Sequence, residues 1–259
     1  MGLDVYVGTL TRYCAGDWQT STVTAALAQG VDVKIARHKS DGTVDLVDAR
    51  DIPPASPEHT SRVRGEVERW RRDVAQALSS SNARATSMDW QETQDLPYFT
   101  AKPDWYGFGA MLLLAAYEEE KPVFGAKAWY PKTFDFERWQ QDPVLDAAFR
   151  SRKSRYSQLV GPEAWLPGGT DPPLMASLPL RKKKIAFGAI DKALAQIQEL
   201  NARTYRGTAN DLGEWRNDDR VGEDDPTHPF EPNAKFGMAI FLDLARKAVE
   251  HRLPIVLDY

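Results

Sequence analysis

The chain opens on an alternation. Leu3, Val5 and Val7 fall on one face and Asp4 and Tyr6 on the other, the period of two that predicts a strand. Asp17 is placed to cap a helix reaching about Gln29, Gly30 to end it, and Val31 to Ala36 alternate again, so the start reads as strand, helix, strand. An Asp41-Gly42 turn then leads to a short strand over Thr43 to Val47, giving a hairpin with a longer loop.

Helical spacing takes over after the breaker IPPASPEHT. Ser56-Pro57 reads as N-cap and first position of a helix to about Ser79, with Val63, Val67, Trp70, Val74 and Ala77 inward. Five arginines, at 62, 64, 69, 71 and 72, alternate with Glu66, Glu68 and Asp73 on its other faces. Asn82 to Thr100 is polar and turn-rich, a long connection. A second helix starts after Pro103 and carries Trp105, Phe108, Met111, Leu112 and Ala115. Being apolar on most sides, it is expected at the centre of the core, and its terminal Glu118, Glu119 and Glu120 oppose the helix dipole and need solvent or basic partners.

Between Val123 and Pro179 no period is legible. A third helix is expected over 184–205 with Phe187, Ile190, Leu194, Ile197 and Leu200 on one face. A fourth over 234–251 buries Phe236, Ile240, Leu244 and Ala248 or a neighbouring stripe, and LPIVLDY ends the chain as a strand. These elements predict one α+β (or α/β) domain over 1–259. Four longer helices pack on a small mixed sheet in which the first and last strands are candidate neighbours.

Composition narrows the classes of function. Hydrophobic residues make up 42% of the chain and eight are tryptophans, enough to build a core by packing alone. A net charge of −4 argues against general nucleic-acid binding, which needs a basic excess against phosphates. The longest apolar runs, AMLLLAAY and MAIFL, are too short to span a bilayer, and no basic leader followed by an apolar stretch opens the chain. Cys14 is the single cysteine, so neither an internal disulfide nor a thiolate zinc cluster is expected, and a reducing cytoplasm suits the chain.

Candidate chemistry concentrates in the opening stretch, where Arg12, Tyr13, Cys14, Asp17 and Trp18 crowd one loop. Such a loop at the carboxyl edge of a strand suits an anion held by Arg12 and a helix N-terminus, yet Gly8 and Gly16 match neither the dinucleotide fingerprint nor a phosphate loop. The same residues also have an ordinary structural use, with Asp17 capping, Trp18 packing and Arg12 binding carbonyls. Cys14 as a nucleophile requires a basic partner, and none of the four histidines stands in a recognisable motif with it.

Two charged segments lie elsewhere. Arg216 to Pro232 contains Asp218, Asp219, Glu223, Asp224, Asp225 and His228, but Val221 stands where a calcium loop needs a ligand, so no metal is expected. The run reads instead as a solvated loop or as charge presented to a basic partner. Arg181 to Lys184 is the one basic cluster, able to meet phosphate or an acidic protein, and it precedes the expected third helix, where it opposes the dipole.

The opening GLDVYVGTLTRYxxGDW and the closing helix with LPIVLDY resemble the two ends of an uncharacterised family of bacterial cytoplasmic proteins, with a likeness to immunity proteins of toxin systems. The resemblance covers about forty residues, carries no catalytic motif, and implies a protein that acts by binding. In that family an aromatic residue can stand where this chain has Cys14.

The reading is therefore a cytoplasmic protein-binding module, in the manner of an immunity protein that neutralises a toxin directly, with no cofactor. Its expected contacts are Arg12, Tyr13, Trp18, Arg69, Arg72, Asp218, Asp219, Asp224 and Asp225. The alternative is a hydrolase or transferase on an anionic substrate, using Asp4, Arg12, Cys14 and Asp17 after the first strand. Oligomeric state is not readable.

Overall fold

The computed structural model describes residues 2–38, 43–80, 84–85, 90–93, 95–124, 130–151, 154–218 and 227–259. The opening alternation forms strand β1 (Asp4–Val7), but the chain turns helical at once in α1 (Leu10–Ala15) and again in α2 (Ser21–Ala28). Strands β2 (Lys34–His38) and β3 (Val44–Asp48) follow, then the long α3 (Pro57–Ser80) and two short strands, β4 (Arg84–Ala85) and β5 (Phe99–Ala101). Next come α4 (Asp104–Phe124), α5 (Pro143–Arg150), β6 (Ala164–Leu166), β7 (Thr170–Asp171), β8 (Leu174–Ser177) and β9 (Lys184–Ala189). Helices α6 (Ile190–Arg203), α7 (Ala209–Arg216) and α8 (Phe230–His251) lead to β10 (Ile255–Asp258).

The main sheet is mixed, in the order β5-β1-β10-β6-β9-β8, and only β6 with β9 is parallel. First and last strands are neighbours, with Asp4 opposite Asp258 and Val7 opposite Ile255. Both faces of this sheet are covered, which gives the α+β architecture two cores. Leu3, Val5, Val7, Ile255 and Leu257 join α4, α6 and α8 in the larger one. Tyr6 and Val256 point the other way, into a smaller core with Leu10, Tyr13, Val63, Val67 and Phe187. Among the described residues no helix is long and apolar enough to cross a membrane.

The strand, helix, strand order expected at the start is present as β1, α2 and β2, but a further helix, α1, precedes α2, the caps differ, and β2 does not join the sheet of β1. Thr9 caps α1 by accepting from the Arg12 N–H, Gly16 ends it at φ +70°, and Thr20 caps α2. Asp17 is thus left between two helices and caps neither. Strand β2 pairs with β3, and the two form a separate hairpin. Charges explain the separation: the register sets Lys34 opposite Asp48, and Asp45 stands on the other face of the ribbon, whereas the central strands of the main sheet are covered on both sides. The Asp41-Gly42 turn lies outside the described residues.

Helix α3 matches its expected span, with Ser56 Oγ accepting from the His59 N–H. Its inner stripe ends on Leu78 rather than Ala77, which is exposed. The helix expected over 184–205 is a correction: its first six residues are β9, and the helix begins at Ile190. Phe187 and Ile190 share helical spacing, but Ile185, Phe187 and Ala189 are buried by alternation between β6 and β8. The basic run 181–184 therefore leads into a strand, and its conflict with a helix dipole disappears. In the segment without legible period the chain forms α5, β6, β7 and β8, and α7 also went unread.

Helix α4 does not end at its glutamates but continues to Phe124, so the expected acidic C-terminus is a correction: Glu118 and Glu119 stand in the last two turns. Glu118 is buried, accepts from the Tyr130 hydroxyl and lies 3.9 Å from Arg203. Glu119 accepts from Ser154 Oγ at 2.6 Å and from the Arg155 N–H at 2.9 Å. Both carboxylates are thus met by groups from elsewhere in the chain; the side chain of Glu120 lies outside the described residues.

Candidate functional site

What the sequence crowds into one loop, the structure divides between two sides of α1. On the first side, Arg12, Gly16, Asp17, Trp18 and Gln19 line a cleft of about 370 Å³, closed by Ile52, Pro53, Pro54 and Tyr98. Arg12 Nη1 donates to the Leu96 carbonyl at 2.8 Å, and its guanidinium lies 5.1 Å from the centre of the Tyr98 ring, a cation–π distance. Trp18 packs on Tyr6 at 5.0 Å and on Tyr13 at 5.8 Å, so the cleft rests on a fixed aromatic base.

The second side faces the sheet. Tyr13 is buried and its hydroxyl donates to Asp258 Oδ1 at 2.7 Å. Burial, with that bond, holds the phenol protonated far above its ordinary range. Asp4 sits across the strand from Asp258, away from the cleft, and one of its oxygens is buried without a hydrogen-bond partner. Burial raises its pKa from 3.8 to about 6; Asp258 and Asp104 push the same way, against Lys102.

This shift has a sign that can be tested. The folded state prefers protonated Asp4, so its contribution to stability is full below pH 3.8 and is lost as the pH rises through about 6. Asp4→Asn is expected to stabilise the protein at pH 7.5 by about 1 kcal/mol, well below the full shift because the carboxyl keeps contact with solvent. The gain should vanish near pH 4 in parallel urea titrations. An equal gain at both values would assign it to packing instead.

Cys14 donates weakly to the Pro179 carbonyl at 3.5 Å. Burial, helped by Glu92, pushes its thiol up to about 12, so the thiolate a nucleophile needs is disfavoured at neutral pH. The helix expected just after Asp17 is α2, where the Thr20 hydroxyl accepts from the Val23 N–H; an acidic side chain sits instead at the start of α1, a helix not expected from the sequence. Glu92, buried and 82 residues away, accepts from the Leu10 N–H at 3.2 Å, the Thr11 N–H at 2.7 Å and Trp90 Nε1 at 2.6 Å. The chain's own carboxylate thus occupies the start of α1.

The remaining expected contacts are dispersed. Arg69 is paired with Glu66 on α3 at 2.6 Å, and Arg72 is exposed one turn further on. Asp218 borders an open depression with Trp215 and Lys235. Asp219, Asp224 and Asp225 lie outside the described residues. Sequence reasoning missed Glu92, Leu96, Tyr98 and Ile52 to Pro54, all in segments read as connections; the aromatic and proline content of PYF and IPP was the only local signal.

A cation stacked on an aromatic ring, an acid in Asp17, and a cleft rimmed by prolines and tryptophan make a surface suited to recognition. Comparison with family models, curated proteins and solved structures finds no match to this chain.

Proposed function

We propose that this chain is a cytoplasmic protein-binding module, acting as immunity proteins do by covering a toxin, and that the thinly covered β2–β3 hairpin arm is its principal contact surface. One observation carries the reading. Between Tyr13 and Thr60, Ala49 is the only buried residue among those described.

An arm of that length without a core is unusual, because an isolated two-stranded hairpin is marginal in water. One face carries an exposed apolar patch beside the Lys34–Asp48 pair: the register sets Leu46 opposite Ala36, with Val44 two residues on, and Leu46 and Val44 are 67% and 49% exposed. Ile35 and Val47 occupy the other face and are half-buried. At its root the arm meets the Arg12–Trp18 cleft through Ile52, Pro53 and Pro54, so the apolar face and the aromatic cleft are joined by a short run of chain. Arginine and aromatic residues beside an apolar face are the usual makings of an interface.

The test is capture from the native lysate with tagged wild type, Leu46→Asp, and the Arg12→Ala, Asp17→Ala double variant. Wild type is expected to retain a stoichiometric protein that Leu46→Asp loses by at least about tenfold, without a change in thermal midpoint, since Leu46 supports no core. A partner held equally by Leu46→Asp would remove the arm from the interface. Retention of no protein at all by wild type would end the reading.

A further inference from the structure

The β8–β9 hairpin carries a feature that neither core requires. Leu178 to Arg181 form a turn closed by the Arg181 N–H on the Leu178 carbonyl at 3.0 Å, with Pro179 second and Leu180 third. Leu180 sits at φ +61°, the left-handed position that such a turn ordinarily gives to glycine or asparagine. A branched apolar side chain is disfavoured there, and it gains no burial in return, being 58% exposed. Met175, on β8 of the same hairpin, is 60% exposed.

The turn is also held in place. Ser177 Oγ donates to the Lys182 carbonyl at 3.2 Å, Trp70 Nε1 to the Ser177 carbonyl at 2.7 Å, and Cys14 reaches the Pro179 carbonyl. Leu180 is therefore presented by a fixed scaffold. Four exposed cations follow it directly. Lys183 is committed inward, to Glu163 at 3.1 Å and the Tyr259 hydroxyl at 2.9 Å. The ammonium groups of Lys182 and Lys184 have no hydrogen bond or ion pair among the described residues, and Arg181 lies on the side of Tyr13 and Cys14.

We infer that this hairpin tip is a docking point for an acidic protein surface with an apolar recess, Leu180 entering the recess and Arg181, Lys182 and Lys184 meeting carboxylates around it. The inference rests on the protein-binding reading and adds the chemistry of the partner. Charge complementarity selects an anionic occupant, and a preorganised apolar residue ringed by cations suits a shaped protein surface. A membrane surface fits less well, because durable anchoring takes two strong signals and the tip offers one leucine and a neighbouring methionine. Single-stranded nucleic acid would call for aromatic platforms, which the tip lacks.

The experiment uses the full chain and a fluorescein-labelled peptide of sequence Glu-Glu-Phe-Glu-Glu-Leu-Glu-Glu, read by anisotropy. Vesicles containing phosphatidylserine and a single-stranded oligonucleotide run alongside. Wild type should bind the peptide saturably and more weakly as salt rises. The Lys182→Glu, Lys184→Glu double variant should weaken it by about tenfold or more. Leu180→Gly, which relieves the backbone and keeps the fold, should weaken it by about threefold or more at unchanged or higher thermal midpoint. Absence of peptide binding, indifference to the charge reversal, or a silent Leu180→Gly overturns the inference. So does tighter binding to the vesicles or the oligonucleotide. Leu46→Asp should leave peptide binding intact, so failure of the tip and failure of the arm are read separately.

Discussion

Glu92→Ala is expected to lower the stability of this protein by about 3 to 5 kcal/mol, the cost of leaving buried donors without an acceptor. Three donors lose their partner at once: the Leu10 and Thr11 N–H groups and the Trp90 indole. The first two begin α1, whose orphan amides have no helical carbonyl to bond. The loss propagates, because Arg71 on α3 stacks 4.4 Å from the Trp90 ring and donates to the Trp90 carbonyl at 2.7 Å. One carboxylate thus ties α1, the segment before β5, and α3 together around the smaller core. Glu92→Gln keeps an acceptor oxygen and should cost about half as much, since its amide group offers donors where donors already converge. Urea unfolding followed by tryptophan fluorescence measures both. At about 2 to 4 °C per kcal/mol for a chain of this size, the alanine variant should melt roughly 10 °C lower. A loss below about 1 kcal/mol would mean that water replaces the carboxylate and that the site is more open than its burial implies.

The second large effect is expected at the crossing of the two central helices. Gly107 of α4 and Gly237 of α8 meet backbone to backbone, and a Cβ at Gly237 would overlap the Gly107 carbonyl group. No side-chain rotation relieves that clash, so Gly237→Ala must part the helices that fill the larger core. The expected cost is about 3 kcal/mol, at the upper end of overpacking because the obstacle is backbone. Gly107→Ala meets the Phe236 ring first, at 2.9 Å, and should cost less since that ring can give way. Gly65→Ala is the control. It lies on the exposed face of α3 with open space around its Cβ, and alanine there should stabilise by about 1 kcal/mol through helix propensity alone. If all three glycines behaved alike, the close approach of α4 and α8 would be wrong.

Much of this fold is legible from residue order because much of it is periodic. Helices α3, α4 and α8 each bury a stripe at helical spacing, and β1 and β10 alternate. The errors have particular causes. In residues 9–20 the caps are Thr9 and Thr20, and Gly16 separates two helices; Asp17 is an equally good cap by type, and only local geometry chooses. In residues 184–190 the spacing of Phe187 and Ile190 fits a helix as well as a strand running into one. The choice falls to the strand because β6 and β8 supply hydrogen-bond partners on both sides. Residues 90–98 read as a connection because polarity is a poor guide to burial once a polar group has partners, and Glu92 has three.

The site follows the same division. Residue order alone brought Arg12, Asp17 and Trp18 into one cleft, because a six-residue helix and the turn after it keep near neighbours close. It also marked the basic run at 181–184 and the arginines of α3. What tertiary structure decided is everything that depends on a distant partner: Asp4 set against Asp258, Cys14 half-buried against Pro179, and Glu92 at the start of α1. The same holds for the exposure of Leu46 and Leu180, two ordinary apolar residues in the sequence. Periodicity records which face of an element is apolar, a property of neighbours along the chain. Whether that face is covered, and by what charge, is set by residues far apart in sequence, and such pairings leave no mark on local order.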